Sequence, residues 1–160
     1  MFAAQTIDST DKPAFYRELA TQLKALLEGE SDSVANAANT SALIFQMVPD
    51  LNWAGFYRVL DGELVLGPFI GKPACIRIPF GRGVCGTAAS ERRTQLVPDV
   101  HAFPGHIACD AASRSELVVP VLRSNAVIAV IDLDSPLPAR FDQEDAAGIE
   151  ALVSLIAAVI

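Results

Sequence analysis

Apolar residues recur at helical spacing through Phe15, Leu19, Leu23, Leu26 and Leu27, after Asp11 and Pro13, which supply a start signal. This predicts an amphipathic first helix. A second, alanine-rich helical stretch covers about 33–48, with Ile44, Phe45 and Val48 on adjoining positions, and Pro49 ends it. Its expected place is against a sheet. From residue 52 the pattern turns to strand: 52–59 and 63–66 flank the turn dipeptide Asp61-Gly62 and predict a β-hairpin. A third strand is expected over 74–78, then a loop punctuated by Gly81, Gly83 and Gly86, a short helix over 87–91 and an extended piece at 95–97. Residues 98–115 show no periodicity; a loop of that length within a domain is either a functional lid or a misread element. Segments 116–122 and 125–132 are dense in Val, Leu and Ile and are separated by Arg123-Ser124, which predicts a second, well-buried hairpin. An apolar-striped helix with an acidic first turn closes the chain from near Asp142.

The order predicts an α+β fold, an antiparallel sheet covered by helices, in a single domain over 1–160. Within it, the N-terminal helices occupy about 11–48, the sheet and active-site loops about 51–134, and the C-terminal helix about 142–160. A chain of 160 residues without repeats suits one core of useful size. The 51% apolar and 19% charged shares exclude disorder and leave room for an oligomeric surface. Net charge of −7 and the lack of a basic stripe make nucleic acid and anionic membrane poor partners. The first residues carry no basic segment followed by an apolar core, and no apolar run approaches the ~18–20 residues a membrane helix needs, so a cytoplasmic location is expected.

Three cysteines, Cys75, Cys85 and Cys109, lie close together in a compartment expected to be reducing. An odd count there argues against a structural disulfide framework and leaves inert thiols or a disulfide that cycles during catalysis. Cys85 and Cys109 sit in segments rich in glycine, proline and polar residues, which read as turns and helix starts where a thiol can be exposed and activated. Their spacing matches neither a CxxC redox motif nor tetrahedral zinc, so no metal is expected. His101 and His106 are the only histidines; a Cys/His pair at His106 and Cys109 is conceivable, as is a solvated loop histidine. No phosphate-binding glycine motif is present.

On the first strand Trp53, Gly55, Tyr57 and Val59 share a face. An extended strand holds Trp53 and Tyr57 roughly 13 Å apart, two aromatic walls over a gap, or else an ordinary core face. In the second hairpin a turn centred near Ser124 sets Glu116 opposite Asp132, Val118 opposite Val130 and Pro120 opposite Ile128, with Asp134 diagonal to Glu116. Three carboxyls crowded together cannot all ionise freely, so one could donate a proton near neutral pH. Alternatively the strand ends at Ile131 and both aspartates are solvated.

The segments LNWAGFYR, GPFIGKPACIRIPFGRGVCGTAA, DVHAFPGHIACDAASRSELVVPV and IAVIDLDSP resemble those of the free methionine-(R)-sulfoxide reductases, small enzymes with a GAF fold. The resemblance runs from about Leu51 to the C-terminus and shows no departure at the residues below. It implies that Cys109 is the catalytic cysteine, Cys75 the main resolving cysteine and Cys85 an accessory thiol. Trp53 and Tyr57 would receive the substrate's methyl end; Glu116, Asp132 and Asp134 would surround the sulfoxide, bind the amino acid and include a general acid. Backbone N–H groups just before Cys109 would hold the substrate carboxylate. The resemblance also implies free methionine-R-sulfoxide as substrate, thioredoxin as external reductant, no bound cofactor and a homodimer. The main rival is a GAF module that senses a small ligand without catalysis, which has no need of a nucleophile, a resolving thiol and an acid together. A peroxide-responsive thiol protein uses the cysteines but leaves the aromatic and acidic residues without a task.

Overall fold

Asp11 and Asp32 start the first two helices in the same way. Each extended cap residue turns its carboxylate onto a backbone N–H three residues on, Ala14 at 3.0 Å and Ala35 at 2.8 Å. They open α1 (Lys12–Leu26) and α2 (Ser33–Met47). The computed structural model describes residues 2–107 and 110–160. After α2 come β1 (Trp53–Leu60), β2 (Glu63–Gly71), β3 (Arg77–Pro79), α3 (Gly83–Glu91), β4 (Gln95–Val97), a 3-10 turn at Val100–Ala102, β5 (Ser115–Arg123), β6 (Ala126–Ser135) and α4 (Gln143–Ile156). The strands form one antiparallel sheet in the order β3-β2-β1-β6-β5-β4. This is the expected helix-covered α+β architecture.

Alternation along the strands divides the core between two faces of the sheet. Ala54, Phe56, Leu117, Val119, Ile131 and Leu133 pack with α1, α2 and α4. Trp53, Tyr57, Leu64, Val118 and Val130 pack on the other face with α3 and the turn at Val100. The second face carries the candidate chemistry.

Several boundaries move from their sequence expectation. β2 continues through Gly67 and Pro68 to Gly71, residues that read as strand breakers. The third strand is the short edge piece Arg77–Pro79 rather than 74–78. The inserted helix starts at Gly83, not residue 87, because Gly83, at φ 61°, lets the chain enter the helix directly from the glycine-rich loop. The second hairpin turns at Ser124-Asn125, with φ 49° and 64°, the two positive values of a type I′ turn. Its pairing is Glu116 with Asp134, Val118 with Asp132 and Pro120 with Val130. The expected register is therefore wrong. An irregularity at Val121/Leu122, where Ala129 and Val127 are successive partners and Ile128 is extra, shifts the pairs beyond it.

Candidate active site

β1 presents Trp53 and Tyr57 on its inner face with only Gly55 between them. The gap expected there is closed. Trp53 leans over Gly55 until its ring stacks on Tyr57, with centroids 5.9 Å apart and planes 22° from parallel. Phe69 of β2 stacks on the other side of Trp53 at 5.2 Å, and the indole Nε1 donates to the Lys72 carbonyl at 3.1 Å. The result is a continuous aromatic shelf. Only glycine fits at position 55, because a Cβ there would lie 2.3 Å from Phe69 Cβ and 2.7 Å from the Trp53 ring.

Three carboxyls border the shelf. β6 runs on to Ser135, so Asp132 and Asp134 belong to a central strand and are not solvated turn residues. Across β1 they face Gly55 and Trp53 respectively, and across β5 Asp134 faces Glu116. Glu116 and Asp132 are each only 6% exposed. Burial, then the neighbouring charges of Asp132 and Asp134, holds the Glu116 carboxyl well above its usual range. Burial likewise raises Asp134, helped by Asp132 and Asp110. Asp132 is pushed up to about 7 by burial, against hydrogen bonding from Cys85 and Glu116 that favours its charged form. Cys85 and Glu116 each bring a polar atom within 4.8 Å of one from Asp132, yet Asp132 Oδ1 has no hydrogen-bond partner.

Cys85 lies in the first turn of α3 as a free thiol, 4% exposed. The glycine-rich surroundings suggested an exposed thiol, but GVCG is helix packed onto the sheet. Burial pushes this thiol well above its ordinary value, and the charges of Asp132 and Glu116 push the same way. Cys75, half-buried between β2 and β3, packs against the apolar cluster containing Cys85 and Tyr57. Cys109 lies outside the described residues, as does the geometry of any pair it makes with His106. Its neighbours Ile107 and Asp110 line the same pocket as Trp53, Tyr57, Cys85 and the three acids.

Four further residues belong to this pocket or hold its rim. The half-buried His106 points Nε2 at Glu116 Oε2, 3.8 Å away, and burial followed by the charge of His101 lowers its pKa. Asp110 accepts from the Ala112 backbone at 2.9 Å, from Lys72 Nζ at 3.2 Å and from Asn52 Nδ2 at 3.2 Å; these contacts keep its carboxyl below the usual range. Asn52 Nδ2 also donates to Ser113 Oγ at 3.0 Å. Asn52 and Lys72 thereby tie Asp110 and Ser113 to the start of β1 and the end of β2. No sequence period marks these contacts; the usable signals were position alone, Asn52 next to the aromatic strand and Asp110 next to Cys109.

Fold also gathers ligand atoms that spacing along the chain kept apart. Cys85, Glu116 and Asp132 come from α3, β5 and β6, and one ligating atom of each lies within 4.8 Å of the others.

A family model for the GAF domain matches residues 35–160. The free methionine-R-sulfoxide reductase of Escherichia coli is 51% identical over 150 residues, covering 94% of this chain and 91% of that protein. The Saccharomyces cerevisiae free methionine-R-sulfoxide reductase is 44% identical, with 91% and 86% covered. Among solved structures, the free methionine-R-sulfoxide reductase of Neisseria meningitidis, in complex with its substrate, superposes with a TM-score of 0.94 at 45% identity, covering 98% of this chain and 94% of that one.

Proposed function

The chain belongs to the free methionine-R-sulfoxide reductases, enzymes built on a GAF domain, and we propose that its pocket reduces free L-methionine-(R)-S-oxide to methionine with Cys109 as nucleophile. One observation supports the site assignment above the rest: a buried trio of carboxyls with raised pKa values adjoins an aromatic shelf. The substrate's methyl end rests on Trp53 and Tyr57. Asp132 receives the ammonium group, with Asp134 beside it. The substrate carboxylate takes backbone N–H groups ahead of Cys109. A peptide-linked methionine offers neither terminus, which gives the pocket its preference for the free amino acid.

The sulfoxide oxygen leaves only once protonated. Glu116, held protonated, donates to that oxygen as the Cys109 thiolate attacks sulfur. The oxygen passes to the cysteine sulfur, so methionine departs and Cys109 becomes a sulfenic acid. A second thiol, Cys75 first and Cys85 as accessory, condenses with it to a disulfide and releases water. Thioredoxin, a dithiol, then reduces the disulfide and is itself oxidised, which places the cycle in a reducing compartment and needs no bound cofactor. His106, in contact distance of Glu116, offers a route for returning the proton. No helix among the described residues is long and apolar enough to cross a membrane. A homodimer is the proposed assembly, which sedimentation would read directly.

The decisive assay mixes the purified protein with the two epimers of free methionine sulfoxide and a thioredoxin system. Consumption of the R epimer alone is expected, with single turnover abolished in Cys109→Ser. Cys75→Ser should keep the first turnover and lose thioredoxin-dependent recycling. Single-turnover reduction persisting without Cys109 would overturn the mechanism.

A further inference from the structure

We propose that the same pocket also binds a thiophilic divalent cation of zinc size, with Cys85 Sγ, a Glu116 oxygen and Asp132 Oδ1 as ligands. One ligating atom of each residue lies within 4.8 Å of the others, and the three residues come from three different elements. A tetrahedral ion with bonds of about 2.3 Å to sulfur and about 2.0–2.2 Å to oxygen separates its ligands by roughly 3.3–3.7 Å. Side-chain adjustments on the order of 1 Å close the remaining distance.

A second, independent feature points to a ligand. Asp132 is 6% exposed and its Oδ1 has no hydrogen-bond partner. Buried carboxylate oxygens are normally satisfied, and this one faces a thiol and another carboxyl rather than a donor of fixed charge. His106 Nε2, 3.8 Å from Glu116 Oε2, lies outside that three-residue cluster, so the fourth position falls to water. A set of one thiolate sulfur and two carboxylate oxygens favours zinc, cobalt or cadmium over magnesium or calcium, which take oxygen. The ion displaces the thiol proton of Cys85 and any carboxyl protons, and no electron moves.

Binding stands on this geometry alone. Its consequence rests on the function proposed above: the ion would occupy the ammonium position and consume the general acid, so it would compete with substrate.

The test uses the Cys75→Ser/Cys109→Ser double variant, in which Cys85 is the sole thiol and chemistry is blocked. Titration with Co²⁺ is expected to give one equivalent bound with a sulfur-to-cobalt charge-transfer absorption, displaced by Zn²⁺. Adding Cys85→Ser should remove the absorption and weaken Zn²⁺ binding, measured calorimetrically, by at least about tenfold; Asp132→Asn should weaken it similarly, and serves if Cys85→Ser fails to fold. No charge-transfer absorption in the double variant, or unchanged Zn²⁺ affinity after Asp132→Asn, overturns the site. Free methionine sulfoxide should raise the apparent Kd for Co²⁺. Cobalt binding through Cys85 that the sulfoxide leaves untouched upholds the cation site and counts against the substrate pocket; sulfoxide binding without cobalt binding does the reverse.

Discussion

Burial sets the chemistry of Cys85 more strongly than its sequence neighbourhood does. The thiolate is the reactive form, and a thiol 4% exposed beside Asp132 and Glu116 is held protonated. Iodoacetamide at mildly alkaline pH should therefore label Cys85 in the folded protein far more slowly than in urea, because burial removes both access and thiolate. Peptide mass spectrometry gives both rates, and fast native labelling would contradict the buried placement. Sequence placed this thiol near the acids only through family resemblance; it read GRGVCG as loop because glycines hid the start of a helix. His106 was visible as a candidate, but its contact with Glu116 crosses from an aperiodic loop to a strand, and no local pattern encodes such a pair.

At the level of elements, strand identity was legible and register was not. Alternating Val, Leu and Ile located β5 and β6, yet a turn centred between Ser124 and Asn125 rather than on Ser124, together with the extra residue Ile128, replaced Glu116/Asp132 by Glu116/Asp134 as the facing pair. The acids kept their common face because the displacement was two residues, a full strand period. Close packing at glycines was equally hidden. Gly55→Ala drives a Cβ into Phe69 and Trp53, whereas Gly148→Ala drives one to 2.1 Å from the Tyr16 ring, far from the pocket. Overpacking of this kind costs about 1–3 kcal/mol, so urea unfolding should show comparable losses in both. Only Gly55→Ala should also raise KM for free methionine sulfoxide, since only it dislodges the aromatic shelf. A raised KM in Gly148→Ala would mean that the helix-covered face of the sheet communicates with the site.

Across the whole molecule, one sheet face packs a largely apolar core with α1, α2 and α4, while the other buries three crowded acids, and this asymmetry should appear in the pH dependence of stability. Asp132 titrates at an ordinary 3.8 when unfolded and is pushed up to about 7 when folded; Glu116 and Asp134 are raised as well. Between those limits the folded state binds more protons than the unfolded one, so stability falls as pH rises. The contribution of Asp132 is complete below about pH 4 and is lost as pH climbs through about 7; those of Glu116 and Asp134 run in the same sense. His106 works in the opposite sense, because its lowered pKa makes the unfolded state the better proton binder near neutrality. It is one group against three. Asp110 has a lowered pKa, so its contribution is lost only on the acid side, as pH falls through its depressed folded value. Calorimetry should therefore find the melting temperature highest in mild acid and declining through neutrality, with Asp132→Asn removing much of the slope between about pH 4 and 7. A melting temperature that is flat or rising over that interval would show that the buried carboxyls release their protons as readily in the folded chain as in the unfolded one, and the proton donor proposed for the sulfoxide oxygen would go with them.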